Sequence, residues 1–221
     1  MTKDLEEALN KLRLEILLLH KRVEVYRDLF GTNKEFLELL NNSSGTFFYL
    51  VQTGFLENII ISISRLVDPP NSNGYKNLSL NGVINLIEDK TLKKELTLQS
   101  KWYLSIATEF LKNWRRKKVA HLDLNVALSK VELQNEINLQ NLDIAIKSIR
   151  EFYNTIHLHY FGSKVVFGLT QNTTTKPLLI SLKQAKTFRE YIHEKRKNGS
   201  EIPEELEIDI SQFDIKRELN M

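Results

Sequence analysis

The chain has 221 residues, of which 42% are hydrophobic, enough to bury a sizeable core. It contains no cysteine, which excludes disulfides, thiolate metal sites and cysteine nucleophiles and fits a reducing cell interior. A net charge of +3 is too small for a protein coated with nucleic acid, and only eight glycines and four prolines favour helices over a turn-rich β fold.

The N-terminal half of the chain predicts two long helical regions. Apolar residues at three- and four-residue intervals indicate a first helix from Leu5 to Phe30, which ends at Gly31. A second region begins near Asn33, pauses at the sequence NNSSG and resumes from Thr46 to Val67. The sequence DPPNSNG then ends it, because proline and glycine break helices.

The second region contains the most apolar stretch of the chain, TFFYLVQTGFLENIIISIS. Gln52, Glu57 and Asn58 interrupt this stretch, so we expect a buried bundle helix rather than a membrane span. Glu57 and Asn58 are then expected to form buried hydrogen bonds, and Glu57 is also a candidate supporting residue for a functional site. The charged N-terminus MTKDLEEALNKL lacks the apolar core of a signal peptide, so we expect a cytoplasmic protein with no membrane segment.

The middle of the chain predicts a short helix followed by a long one. Ser79 is the expected N-cap of the short helix, which extends to Ile87. The long helix extends from Leu92 to about Lys118. Its predicted core side consists of Leu92, Leu96, Trp102, Ile106, Phe110 and Trp114. The sequence HLDLNVALSKVELQNEIN that follows predicts a connection with some helical turns.

The C-terminal third predicts two further helices with a small hairpin between them. The first helix extends from Asn141 to Tyr160. β-Branched runs on either side of a polar turn predict a hairpin between about Lys164 and Ile180, and the last helix extends from Ser181 to Lys197. The segment from Glu201 to Asp214 is acidic; it could be a solubilising arm, a docking strip for basic residues or an ordered edge.

Together these elements predict an all-α protein. Four to five long helices with mostly short connections form an up-and-down bundle, because each apolar stripe must be covered by another. The predicted organisation is a helical bundle over residues 1–162, a hairpin-and-helix attachment over 163–200 and an acidic tail over 201–221.

The sequence NWRRKKVAHLD, from Asn113 to Asp123, places four cations and a histidine at the end of the long helix. RNA carries its own nucleophile, the 2′-OH, so its cleavage needs a proton acceptor, a proton donor and a cation that faces the phosphate. Histidine suits both proton transfers and arginine suits the phosphate. One histidine cannot easily do both tasks at once, so this chemistry predicts a symmetric homodimer in which two copies of the motif face each other.

The motif RRKKVAHLD resembles the signature of HEPN-domain proteins, an arginine followed after four to six residues by a histidine. Arg115 lies six residues before His121 and Arg116 five, so both fit the spacing. The polar residue that often follows the arginine in that family is Arg116 or Lys117 here. Together with ISRLVDPPNSNGYKNLSL and VAHLD, the motif resembles the abortive-infection HEPN-like branch over roughly Leu37 to Tyr160.

This resemblance implies a helical bundle that dimerises to form a metal-independent ribonuclease site with no cofactor. It implies a toxin or effector of a bacterial defence or toxin–antitoxin system, with RNA as substrate and a nucleotidyltransferase-type antitoxin as an expected partner. The residues that match the motif, and are therefore candidate catalytic residues, are Arg115, Arg116 and His121. The candidate RNA-binding residues beside them are Asn113, Lys117 and Lys118.

Structural roles compete with these functional ones. His121 could interact with the helix dipole, and Asp123 could either orient the imidazole or cap the next turn, of which the cap is the commoner role. Arg65 and Asp68 are expected to form a local pair at the end of the second helix. His157 and His159 have the wrong spacing for a helical metal pair.

Two other classes of function fit the same residues. One is a catalytically silent bundle that binds RNA or a protein partner through the basic face. The other is a helical interaction module whose basic cluster is only a solvated helix end. RNA cleavage separates an enzyme from the first class, and salt-dependent RNA binding separates the first class from the second.

Overall fold

The computed structural model describes residues 1–31, 33–72, 74–119, 121, 123–130, 137–168 and 175–203. Within these ranges, the side chains at positions 102, 103, 106, 107, 112 and 113 are not described. The chain divides into two units, residues 1–175 and residues 176–221. Most of the predicted acidic tail lies outside the described residues.

Helices dominate both units, which confirms the predicted all-α class. The helices are α1 (Lys3–Phe30), α2 (Lys34–Val67), α3 (Leu80–Val83), α4 (Lys90–Gln99), α5 (Ser105–Trp114), α6 (Leu124–Ala127), α7 (Leu139–Phe161) and α8 (Lys176–Lys197). A 3₁₀ turn covers Ile84–Leu86, and π-helical turns cover Ser100–Leu104 and Arg115–Val119. Two short antiparallel strands, β1 (Asn71–Ser72) and β2 (Tyr75–Lys76), pair Asn71 with Lys76 and Ser72 with Tyr75. In the described part of the second unit, residues 176–203, the helix is α8.

The core of the first unit forms where α1, α2 and α7 pack their apolar stripes together. Its largest contributions are Leu5, Leu9, Leu12, Ile16 and Leu19 from α1, Ile59, Ile60 and Ile63 from α2, and Leu142, Ile149, Phe152 and Ile156 from α7. Burying one side chain of this size contributes about 1.5–3 kcal/mol. The hydroxyl of the buried Tyr153 donates to the carbonyl of Leu9 over 3.3 Å, so α7 and α1 also share a hydrogen bond.

Helix α2 is continuous but kinked at Ser44, where φ is −165° and ψ is 80°. The kink lies in the sequence NNSSG, at which the helix was predicted to pause. The C-terminal half of α2 buries one face, which includes Ile59, Ile60 and Ile63, whereas Phe47 and Leu50 in the middle of the helix are exposed. By length and composition α2 is long and apolar enough to cross a membrane, although the core helix of a bundle passes the same test.

Glu57 and Asn58 are both exposed on α2, so the prediction that they form buried hydrogen bonds is wrong. Asn58 does accept a hydrogen bond from the hydroxyl of Ser62, one turn later, over 3.4 Å. The apolar residues around them predicted burial, but only one side of α2 is covered by the bundle.

The predicted long helix from Leu92 to Lys118 is interrupted by two π turns. Leu92 and Leu96 are buried as predicted, but beyond the first π turn the buried residues are Leu104, Thr108 and Leu111. Phe110 and Trp114 are half-buried, and the side chains of Trp102 and Ile106 are not described. A π turn holds more residues than an α turn, so the buried stripe falls on later residues than a regular period predicts.

The strands of the predicted hairpin are absent wherever the structure describes this region. Residues 164–167 have no regular secondary structure, residues 176–180 belong to α8, and the polar turn at 169–174 lies outside the described residues. The side chain of Asn154 forms the hydrogen bonds that a second strand would have formed with the Val165 backbone. Its Nδ2 donates to the carbonyl of Val165 over 3.0 Å, and its Oδ1 accepts from the Val165 N–H over 2.8 Å. Phe167 is then buried against Tyr153 and His20.

Candidate functional site

The basic cluster, which we define as Arg115, Arg116, Lys117 and Lys118, lies in the second π turn. This turn directly continues α5 and packs against α2. The backbone N–H of Asp123 donates to the carbonyl of Lys117 over 3.1 Å, so the chain folds back on the turn just after His121. This hydrogen bond places the backbone of Asp123 beside the π turn that carries the four cations.

Arg115 is anchored to the end of α2. Its Nη1 donates to Oδ1 of Asp68 over 2.5 Å, and Asp68 is the C-cap residue of α2. The two side chains are 40% and 22% exposed. Because the pair is partly solvated, it contributes at most about 1 kcal/mol to stability. Its consequence is geometric, since it fixes where the π turn meets α2.

The predicted pair between Arg65 and Asp68 is therefore wrong. Arg65 is exposed in the last turn of α2, and Asp68 binds Arg115 instead. Packing of the π turn on α2 brings Arg115 to the carboxylate from 47 positions away in the sequence. Asp68 is a site residue whose partner sequence reasoning did not find, because no local pattern links the two positions.

The other three cations face solvent to different degrees. Arg116 and Lys118 are exposed and Lys117 is half-buried. The Nζ of Lys118 lies 4.5 Å from the ring centroid of Trp114, a cation–π contact that holds this side chain along the helix. Within the described part of the chain, Arg116 has no carboxylate at ion-pair distance, so its guanidinium is presented outward.

His121 is exposed between the basic cluster and α6. Asp123 caps α6, because its Oδ1 accepts hydrogen bonds from the N–H groups of Asn125 and Val126 over 3.0 Å and 3.1 Å. The predicted capping role of Asp123 is confirmed.

The two remaining candidate residues do not join this arrangement. Glu57 lies eleven residues before Asp68 on α2, about 16 Å away along the helix axis, too far for contact with the carboxylate that holds Arg115. Asn113 belongs to α5, but its side chain lies outside the described part of the structure.

A groove opens beside the ion pair of Arg115 and Asp68. It has a volume of about 510 Å³ and lies where the end of α2 meets α3, the first π turn and the start of α5. The end of α2 is held in place by side chains: Nδ2 of Asn81 donates to the Val67 carbonyl over 2.7 Å, and the Ser79 hydroxyl donates to the Asp68 carbonyl over 2.7 Å. These bonds satisfy carbonyls that a helix end leaves without partners.

The other histidines of the first unit have local partners. His159 lies 3.9 Å from a carboxylate oxygen of Asp89, and Nδ1 of His157 lies 2.8 Å from the Ser163 carbonyl. His20 stacks on Phe167, and burial, followed by the charge of Arg150, lowers its pKa to about 4. Among the described residues, no three histidine, aspartate or glutamate side chains cluster closely enough to hold a metal ion.

The fold and the site together define an all-α bundle that has a basic cluster at one helix end, followed by an exposed histidine. The family model HEPN_AbiU2, described as AbiU2, matches residues 2–178, so the chain belongs to this abortive-infection HEPN family. The match extends beyond the Leu37 to Tyr160 region in which the resemblance was seen in the sequence, and it includes all of α1. No curated protein and no solved structure matches the chain.

Proposed function

We propose that the protein is a metal-independent endoribonuclease that acts as the toxin or effector of a bacterial defence or toxin–antitoxin system. The observation that carries the proposal is that Arg116 and His121 are both exposed just after α5. Arg115, next to Arg116, is instead paired with Asp68. An exposed guanidinium can bind the phosphate and an exposed imidazole can accept or donate a proton, as RNA cleavage through the 2′-OH requires.

The residues of the basic cluster take different roles in this proposal. Arg116 binds the scissile phosphate, because its guanidinium can meet two phosphate oxygens at once. Arg115 is a positioning residue that acts through Asp68, and Lys117 and Lys118 steer the RNA backbone. This assignment chooses between the two arginines that both fit the sequence motif.

The cleavage step transfers two protons. One imidazole takes the 2′-OH proton, O2′ attacks phosphorus, and the bond from phosphorus to O5′ breaks as a second imidazole protonates O5′. The products are a 2′,3′-cyclic phosphate and a free 5′-hydroxyl. Each chain brings one His121 to this step, so the active form is a two-fold homodimer with both basic clusters at one cleft. A nucleotidyltransferase-type antitoxin that restrains this activity in the cytoplasm completes the proposal.

Purified full-length protein and a short single-stranded RNA test the activity. We expect cleavage in the presence of EDTA, a 2′,3′-cyclic phosphate on the product, and no cleavage of an all-deoxy oligonucleotide of the same sequence. Cleavage that EDTA abolishes, or cleavage of the DNA strand, would contradict the proposed chemistry.

A second candidate function is RNA binding without cleavage. The exposure of Arg116 and Lys118 favours it, because these cations can bind phosphates whether or not His121 acts. In that case RNA affinity falls with rising salt while the RNA stays intact, and His121→Ala leaves the affinity unchanged.

A further inference from the structure

The groove beside the ion pair, which we call the α2-end groove, is lined by both apolar and polar side chains. Pro69, Pro70, Ile84 and Leu104 supply apolar surface to its walls. Its volume of about 510 Å³ is in the range of small-molecule sites, which span roughly 300–1,000 Å³. Apolar surface combined with hydroxyl and amide groups suits a flat heterocycle that has apolar faces and hydrogen-bonding edges.

The charge of the α2-end groove matches a nucleic acid. Among the described residues that line it, none is acidic and the one charged residue is Lys101, which is exposed. A larger groove between α4 and α7, of about 660 Å³, differs from the α2-end groove in its charges. Glu95 and Glu151 line it together with three basic residues. A phosphate is attracted to Lys101, whereas in the larger groove Glu95 and Glu151 offset the positive charges.

The α2-end groove is lined by residues that lie close in the sequence to the ion pair of Arg115 and Asp68. Val67 and Pro69 line it, and Asp68 between them holds Arg115. On the helix side, Thr108 lines the groove and Arg115 follows seven residues later, about two turns along the same helical stripe. This separation is about 10 Å along the axis, a length that a short stretch of single-stranded RNA can span.

The groove also depends on the first π turn. Ser100 and Lys101 of that turn line it, and the Ser100 hydroxyl donates to Oδ1 of Asn81 over 2.5 Å. π turns occur frequently at functional sites. Lys101 of this turn lines the groove, and the basic cluster follows later in the same interrupted helix.

We propose that the α2-end groove binds one base of a single-stranded RNA whose next phosphates lie on Lys101 and on the basic cluster. The base packs against the apolar walls. The Ser105 hydroxyl and the Asn85 amide, which line the groove, form hydrogen bonds with the edge of the base. The inference rests on the proposed function, since it names the substrate as single-stranded RNA and gives one of its bases a position beside the cleaved bond.

The test measures binding of a short 2′-O-methylated single-stranded RNA, which has no 2′-OH and so cannot be cut. Ser105→Leu fills the groove, and Lys101→Glu reverses the charge at its rim. Ser181→Leu on α8 and Lys11→Glu on α1 make the same chemical changes at exposed positions outside the groove. We expect Ser105→Leu to weaken binding about fivefold to tenfold, the lower part of the range for one bound base, and Ser181→Leu to leave it unchanged.

An abasic oligomer of the same length separates base from backbone. Ser105→Leu should not alter its affinity, whereas Lys101→Glu should weaken the binding of both oligomers. Thermal melting shows whether each variant is folded, and Lys101→Glu at the exposed rim tests the inference even if Ser105→Leu does not fold. Equal RNA affinity of the wild type and folded Ser105→Leu would overturn the inference, and so would an unchanged affinity for Lys101→Glu.

Failure of this inference and failure of the proposed function give different results. If the wild type cuts RNA while the groove variants bind and cut normally, the groove is empty during catalysis and the proposed function stands. If the wild type cuts no RNA but the groove variants lose base-dependent binding, the groove site stands and the ribonuclease proposal fails.

Discussion

Helices α1 and α7 differ from the run of α4 and α5 in regularity. Helices α1 and α7 are unbroken over 28 and 23 residues, and each buries one apolar stripe. The segment that contains α4 and α5 is interrupted by two π turns. The regular helices build the core. The interrupted run forms a wall of the α2-end groove and carries the basic cluster, so departures from the regular helical period mark the candidate site in this protein.

The largest expected effect lies in the regular region. Leu19 of α1 is fully buried, and Leu19→Ala should lower the free energy of unfolding by about 2–5 kcal/mol, because it removes packed methyl groups and leaves a cavity. Its neighbour Leu18 is 45% exposed, and Leu18→Ala should change stability by no more than about 0.5 kcal/mol. Denaturant unfolding measures both, and similar losses would contradict the assignment of the α1 stripe to the core.

The next effect belongs to the interrupted region. Arg116→Ala should lower kcat/KM for RNA about 100-fold, equivalent to about 2.7 kcal/mol of transition-state stabilisation, because the phosphate loses its guanidinium. Stability should not change, since Arg116 is exposed. Arg196→Ala, an exposed arginine on α8, is the matched control. A larger activity loss from Arg115→Ala than from Arg116→Ala would reverse the roles that we assign to the two residues.

A pH effect tests the packing between α1 and the segment that follows α7. The pKa of His20 is lowered in the folded protein from 6.5 to about 4 by burial, so between these values the unfolded chain binds more protons. Stability should therefore fall as pH drops from about 6.5 to about 4, by at most about 3 kcal/mol from this group. His20→Gln should flatten that part of the stability curve, and an unchanged slope in the variant would show that His20 is not buried in solution.

The smallest expected effect is that of the ion pair between Arg115 and Asp68. Because the pair is partly exposed, Arg115→Ala and Asp68→Asn should each cost less than about 1 kcal/mol of stability. If Arg115 is a positioning residue, both variants should lower kcat with little change in KM, and the double variant should lose no more than either one. Additive losses in kcat would mean that the two residues act separately.

The sequence predicts the regular region well. Leu5, Leu9, Leu12, Ile16 and Leu19 recur at helical spacing, and all are buried, because burial of a stripe is what selects such a pattern. The pause at NNSSG and the end of α2 before the prolines also agree with the structure. Capping by Asp123 was predictable for a similar reason, since this interaction involves residues only two and three positions away.

Errors in the predicted fold and candidate site have tertiary causes. Asn154 supplies the backbone hydrogen bonds that a second strand would have given to Val165, eleven residues away, so the expected hairpin is replaced by a segment packed on α7. Asp68 and Arg115 meet only because the π turn packs on α2. No periodicity in the sequence reports a π turn, so the shift of the buried stripe after Leu96 could not be predicted either.

The most direct test of the account compares His121→Ala with His193→Ala, an exposed histidine on α8. Cleavage of single-stranded RNA and thermal melting are measured for both variants and the wild type. We expect His121→Ala to lose at least about 100-fold in cleavage rate, the scale of general acid–base catalysis, with an unchanged melting temperature, while His193→Ala cleaves as the wild type does. Full cleavage by folded His121→Ala would contradict the claim that the end of α5 forms the active site.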